Sequence, residues 1–275
     1  MLRCSFAGVA EISYFALTMP ITFITGATAG FGEATAWKFA AHGYDLIING
    51  RRKEKLQSLA DTLENKYNVA VMQLEFDVRD QKAVTENITQ LPGDWKKIDV
   101  LVNNAGLALG RDLFHEASLD DWNGMVDTNI KGFMYVAQAV SKLMAEQGRG
   151  HIINLGSVAG KQVYEKGNVY CATKFAVDAL NQAMRIDLLK YGIKVTSINP
   201  GAAETEFSIV RFKGDSATAK TIYDGLKPLS AEDVAEVIFY CTTLPAHVCI
   251  NELSITCLQQ ADALHFNRTP VSEKK

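Results

Sequence analysis

The chain holds 275 residues, 48% hydrophobic and 21% charged, a balance that can fill a core and excludes a disordered or low-complexity protein. A formal net charge of −3 leaves no basic footprint for nucleic acid, and no run reaches the roughly eighteen apolar residues of a membrane span. Five cysteines, at positions 4, 171, 241, 249 and 257, make neither Cys-x-x-Cys pairs nor a zinc pattern with histidine, so a reducing, cytoplasmic setting and no metal are expected.

Residues 1–18 open with Met1-Leu2-Arg3 and a mildly apolar stretch that Glu11 interrupts, unlike the unbroken apolar segment of a signal peptide. They read as an N-terminal extension, either an upstream start or a disordered arm, because Met19 stands immediately before the first strand. One domain is expected over 19–265, followed by a tail at 266–275. Pro20-Ile21-Thr22-Phe23-Ile24 is a short apolar run rich in β-branched and aromatic residues, the pattern of a buried strand. Thr25-Gly26-Ala27-Thr28-Ala29-Gly30-Phe31-Gly32 follows, and then a helical stretch from Glu33 to Ala41 that ends near Gly43. Strand, glycine turn and helix are what a phosphate cradle requires. Glycine lets the backbone bend tightly and approach a pyrophosphate, and the helix N-terminus offers it free N–H groups and a positive dipole end.

Further strands are suggested at 45–49, 69–76, 98–103, 151–156, 193–199 and 251–257, with helical patterns between them. Parallel strands need crossovers, and right-handed helical crossovers cover both faces of a sheet. The expected fold is therefore α/β: a single Rossmann-type, doubly wound parallel sheet of about seven strands with helices on both faces. Ser118 and Ser230, each followed by acidic residues, read as caps of long helices. From 201 to 229 the chain shows little periodicity, and loops beyond about fifteen residues in a compact domain are usually functional or mobile.

The end of the second strand, about 20 to 25 residues past a glycine turn, is where a dinucleotide enzyme distinguishes NAD from NADP. An NAD site places a carboxylate there to hold the ribose hydroxyls. This chain has Gly50-Arg51-Arg52, and guanidinium groups bind a 2′-phosphate through charge-assisted hydrogen bonds, so NADP is expected. Tyr170 and Lys174 stand four apart, thirteen residues beyond Ser157. On a helix such positions lie about 5 to 6 Å apart on one face. A phenol with an ordinary pKa of about 10 is then expected to ionise more easily, by up to roughly three units for a charge about 4 Å away at an effective dielectric of about 20. Cys171, one helical step from that face, is expected to serve packing.

The glycine spacing Gly26, Gly30, Gly32, with Asn103-Asn104-Ala105-Gly106, Ser157, and Tyr170 with Lys174, resembles the short-chain dehydrogenase/reductase family over roughly 20–260. Within it, residues 25–31, 103–110, 167–170 and 206–215 look like the NADP-dependent 3-hydroxy acid dehydrogenases, which oxidise serine, L-allo-threonine and related acids such as 3-hydroxypropionate. The resemblance implies a catalytic set of Asn129, Ser157, Tyr170 and Lys174. Ser157 would orient the substrate oxygen, and Tyr170 would accept the proton in oxidation and donate it in reduction. Lys174 would lower the phenol's pKa and bond the nicotinamide ribose, while Asn129 would help hold a water that links the lysine to solvent. NADP contacts are implied at Gly26, Ala27, Thr28, Ala29, Gly30, Phe31, Gly32, Arg51, Arg52, Asp77, Val78, Asn104, Tyr170, Lys174, Pro200, Gly201 and Thr205.

Where resembling sequences often carry an extra glycine, this chain has Ala202-Ala203-Glu204, and Glu204 must point outward to tolerate an anionic substrate. Arg211 is the candidate for the substrate carboxylate, since a forked guanidinium on a closing loop would fix its distance from the reacting carbon. Partners are expected to be a small 3-hydroxy acid and, by family resemblance, three further copies in a homotetramer packed through 118–147 and 168–190. An NADPH-dependent reductase of 3-oxoacyl thioesters or other carbonyls shares the same core, and a non-catalytic NADP sensor could keep the cradle alone.

Overall fold

The computed structural model describes residues 19–268. The extension at 1–18 and the last seven residues of the expected tail lie outside that span. Seven strands form one sheet: β1 Ile21–Ile24, β2 Asp45–Gly50, β3 Val71–Glu75, β4 Ile98–Asn103, β5 Gly150–Leu155, β6 Ile193–Pro200 and β7 Glu252–Ile255. Their order is β3-β2-β1-β4-β5-β6-β7, and every pairing is parallel.

The helices in chain order are α1 Gly30–Ala40, α2 Lys53–Tyr67, α3 Gln81–Thr89, α4 Leu119–Val126, α5 Phe133–Gln147, α6 Asn168–Asp187, α7 Glu206–Arg211, α8 Ser216–Thr221 and α9 Ala231–Thr242. Successive strand residues point to opposite faces, so each continuous apolar run feeds two cores. Ile24 and Ile48 meet Phe39 of α1, Leu59 and Leu63 of α2 and Ile238 of α9 on one face. Phe23 and Ile47 meet Val84 and Ile88 of α3 and Val140 and Met144 of α5 on the other. The strand order reverses between β1 and β4, and at that switch the carboxyl ends of the strands open a crevice. No helix among the described residues is long and apolar enough to cross a membrane.

The expected caps form. Ser118 Oγ accepts from Asp121 N, and Ser230 and Asp233 cap each other reciprocally. Two expectations change. The stretch 118–147 is interrupted by a π-helical turn, Asp127–Gly132, that carries Asn129. The stretch 201–229 holds α7 and α8, six residues each, too short for an apolar period to show in sequence. Local chemistry starts them: Thr205 Oγ1 accepts from Phe207 N, and the Asp215 carboxylate accepts from Ala217 N and Thr218 N.

Candidate active site

The glycine turn sits where β1 passes into α1. Ala29, the residue before α1, gives no side-chain cap, so the first-turn N–H groups face the crevice without a protein acceptor of that kind. Gly26 has φ +66°, a left-handed conformation that disfavours a side chain. Gly32 is required for space: a Cβ there would lie 2.3 Å from Gly26 O and 2.6 Å from Asn104 Nδ2. The Thr25 hydroxyl accepts from the backbone N–H of Asn104 and of Ala105, each at 2.9 Å, and so ties the end of β1 to the end of β4. Asn104 Nδ2 donates to Thr25 O at 2.8 Å and braces the turn. Gly26, Thr28, Ala29, Gly30, Phe31 and Asn104 line a cleft of about 340 Å³. Ala27 is fully buried beneath it, its N–H bonded to Asn49 O. Ala27 and Gly32 thus shape the turn without lining the cleft.

At the far end of the cleft stand Arg51, Arg52, Asp77 and Val78. Arg52 donates from Nε and Nη2 to Thr28 Oγ1, and from Nη2 to Thr28 O as well, so it is anchored on the glycine turn. Its Nη1 meets Glu206 Oε2 at 3.0 Å. Arg51 Nη1 lies 3.6 Å from Asp77 Oδ2, which Arg79 Nη2 also approaches, at 2.6 Å. Burial works to raise the Asp77 carboxyl, yet the hydrogen bonds from Arg79 and the charges of Arg79 and Arg51 hold it below the usual carboxylate range. Arg79, Lys55 and Glu206 belong to this charged rim and were not among the sequence candidates. Charged residues at helix starts are common enough that only the fold singles them out.

The catalytic candidates converge between the carboxyl ends of β4, β5 and β6. Ser157 follows β5, donates to Pro200 O at 3.4 Å and accepts from Ala159 N at 3.1 Å. Tyr170 and Lys174 share one face of α6, both buried beside it, and line the cleft with Ser157. Lys174 Nζ donates to Leu155 O at 2.8 Å and lies 6.0 Å from the centroid of the Tyr170 ring.

The electrostatics correct the expected acidification of the phenol. Burial, followed by the nearby Tyr164, pushes Tyr170 well above the ordinary tyrosine value, against hydrogen bonding with Ser157 and the Arg211 charge. Burial also draws Lys174 down to about 8. The lysine reaches past the ring to a backbone carbonyl, so the cation that favours the phenolate is Arg211. Asn129 sits on the π turn. Its amide is committed to Leu107 N, Leu107 O and Thr173 Oγ1, which makes it first a brace between the π turn, the loop after β4 and α6. Cys171 is buried with Ala108, Met125 and Ala159, as packing.

The segment after β6 covers this floor. Pro200, Gly201 and Thr205 line the cleft, and Thr205 stands against Gly30. Glu204 is exposed and lines neither cavity. Arg211 lies at the end of α7 over a second cavity of about 190 Å³, which also contains Ser157 and Tyr170. Arg211 Nη1 donates to Tyr164 Oη at 3.1 Å and Nε to Gly110 O at 3.3 Å, while its Cζ lies 5.6 Å from the Tyr170 ring centroid. Gly110 N in turn donates to Arg211 O, so the loop after β4 and the covering segment clasp each other. Tyr164, Tyr223 and Arg268 also line this cavity and carried no sequence signal, because they come from three separate loops. Among the described residues no cluster of three or more His, Cys, Asp or Glu side chains could hold a metal.

A seven-stranded parallel sheet with a glycine turn at its switch point, a serine just after β5 and a tyrosine and lysine on α6 beside it defines the class of a dinucleotide oxidoreductase. The family model for short chain dehydrogenases matches residues 20–215. The chain belongs to that family of enzymes. It is 48% identical over 244 residues to the NADP-dependent 3-hydroxy acid dehydrogenase YdfG of Salmonella typhi, covering 88% of this chain and 97% of that one. It is 48% identical over 242 residues to sulfoacetaldehyde reductase 2 of Chromohalobacter salexigens, covering 88% and 95%. A solved closed form of serine dehydrogenase complexed with NADP+ superposes with a TM-score of 0.84 at 47% identity, covering 88% and 97%.

Proposed function

We propose that this protein is an NADP-dependent oxidoreductase that moves a hydride between the nicotinamide and carbon 3 of short 3-hydroxy acids or their 3-oxo counterparts. Serine, L-allo-threonine and 3-hydroxypropionate are the substrates to test first. The NADP-dependent relatives support the cofactor, as does the chemistry of the cleft: a turn with no room for a Cβ at one end and, at the other, two arginines just after β2 where an NAD site carries a carboxylate. The glycine turn would hold the pyrophosphate, Arg51 and Arg52 the 2′-phosphate, and Asp77, Val78 and Asn104 the adenosine half. Pro200, Gly201, Thr205 and Lys174 would hold the nicotinamide half, whose ring supplies or takes the hydride when bound.

In reduction, the buried phenol of Tyr170 stays protonated at neutral pH and gives its proton to the oxygen as the hydride reaches carbon. Ser157 polarises that oxygen. In oxidation the same phenol oxygen takes the proton, and the nearby Arg211 charge eases its anionic form. Lys174, drawn toward neutrality, would exchange protons behind the phenol.

The observation that carries the acid specificity is Arg211, whose guanidinium stands over Tyr170 in the cavity that contains both Ser157 and Tyr170. A carboxylate two bonds from the reacting carbon would meet it. A thioester on a carrier arm has no free carboxylate to do so. Replacing Arg211 with Ala is expected to cut kcat/KM for 3-hydroxypropionate by about 10- to 100-fold, the worth of a charge-assisted hydrogen bond, while sparing a short neutral alcohol. Equal effects on both substrates would assign the acid group to another residue.

A homotetramer is the proposed assembly. Its support is the family resemblance and the exposed apolar Phe175, Ile186 and Leu189 in α6 and just beyond it. A monomer mass by light scattering would refute it.

A further inference from the structure

The charged rim of the cleft contains an anion of its own. Glu206, the first residue of α7, lines the same cleft as the glycine turn and the two arginines. Its Oε2 faces Arg52 Nη1 at 3.0 Å and its Oε1 faces Lys55 Nζ at 3.1 Å. One carboxylate therefore spans two cations of α2 and its start, with one oxygen on each, as a phosphate would. All three side chains are between 44% and 49% exposed, and a pair so exposed adds little to stability. Arg52 is held in this geometry independently, because Nε and Nη2 are fixed on Thr28 and only Nη1 turns toward the acid.

We infer that Glu206 is a resident counter-ion which the 2′-phosphate of NADP displaces, and that Lys55 is a further residue that reads that phosphate. The inference rests on the reading of Arg52 as a 2′-phosphate residue. A phosphate and a carboxylate cannot share the same two cations without repelling each other, so phosphate entry moves Glu206 and the start of α7 with it. NAD carries no charge at that position and leaves the pair intact. The two cations then discriminate by exchange, since the phosphate supplies more negative charge than the carboxylate it replaces.

Calorimetric titration of the nucleotide-free full chain with NADP+ and with NAD+ tests this. Glu206→Gln is expected to tighten NADP+ about two- to fivefold, the range of an exposed ion pair, and to leave NAD+ unchanged. Lys55→Gln is expected to weaken NADP+ about fivefold with NAD+ again unchanged. Weaker or unaltered NADP+ binding by Glu206→Gln, or equal effects of Lys55→Gln on both nucleotides, overturns the inference. Arg52→Gln separates the two levels. If it leaves the NADP+/NAD+ ratio of Kd intact, the underlying reading of the rim fails. If it collapses that ratio while the other two variants change nothing, only the displacement of Glu206 and the role of Lys55 fall.

Discussion

Lowering the pH is predicted to loosen the fold through His151. This side chain sits on β5, 4% exposed, and burial, with the charge of Lys194 second, depresses its pKa from 6.5 to about 3. Thr196 Oγ1 spends its hydrogen on Ile250 O at 2.6 Å, so it accepts from His151 Nε2 at 2.7 Å, which assigns the tautomer. His151 Nδ1 is left buried with no hydrogen-bond partner among the described residues. The folded state therefore keeps the imidazole neutral while the unfolded chain protonates it below its ordinary value. This contribution to stability is fully present above about pH 6.5 and is lost as pH falls toward about 3. At pH 5, about 1.5 units below the unfolded value, the loss amounts to about 2 kcal/mol. Urea unfolding of wild type and His151→Val at pH 7 and pH 5 measures it. The wild type is expected to lose about 2 kcal/mol more than the variant between the two conditions. Parallel losses would show that the histidine titrates normally and that the reasoning from its burial is wrong.

Two further outcomes follow from the site. Tyr170→Phe keeps the buried ring but removes the proton donor, so kcat should fall by about 10²- to 10⁴-fold with NADPH affinity little changed; full turnover would remove Tyr170 from the chemistry. Gly32→Ala sets a methyl 2.3 Å from the backbone oxygen of Gly26, which cannot swing aside like a side chain. It should cost about 1 to 3 kcal/mol of stability and weaken NADP+ at least about tenfold, and an unchanged Kd would mean that the turn is not the pyrophosphate seat.

The strands were legible to within one or two residues, because runs such as Phe23-Ile24 and Ile47-Ile48 must be apolar on both faces to sit between two helix layers. The glycine turn was legible for a different reason: its residues are dictated by backbone space rather than by side-chain preference. The covering segment was not, since Thr205 and Asp215 start α7 and α8 by bonds that leave no periodic trace. Arg211 could be nominated from sequence, but its seat between Gly110 and Tyr164 needs the fold. The spacing of Tyr170 and Lys174 placed both on one face correctly, yet it could not reveal that the ammonium reaches Leu155 O instead of the phenol. Spacing fixes direction along a helix, while charge coupling depends on where a flexible side chain ends.

The Thr25 hydroxyl fastens the tips of β1 and β4, the two strands at the switch point, whereas Arg211 rides on a short helix outside the sheet. On the proposed assignments, nucleotide recognition would rest on the fastened strands of the sheet and acid recognition on a segment outside it, clasped to Gly110 and Tyr164. The same short helix begins with Glu206 against Arg52 and Lys55 and ends with Arg211 over Tyr170, so a change at one end of the strap is transmitted to the other.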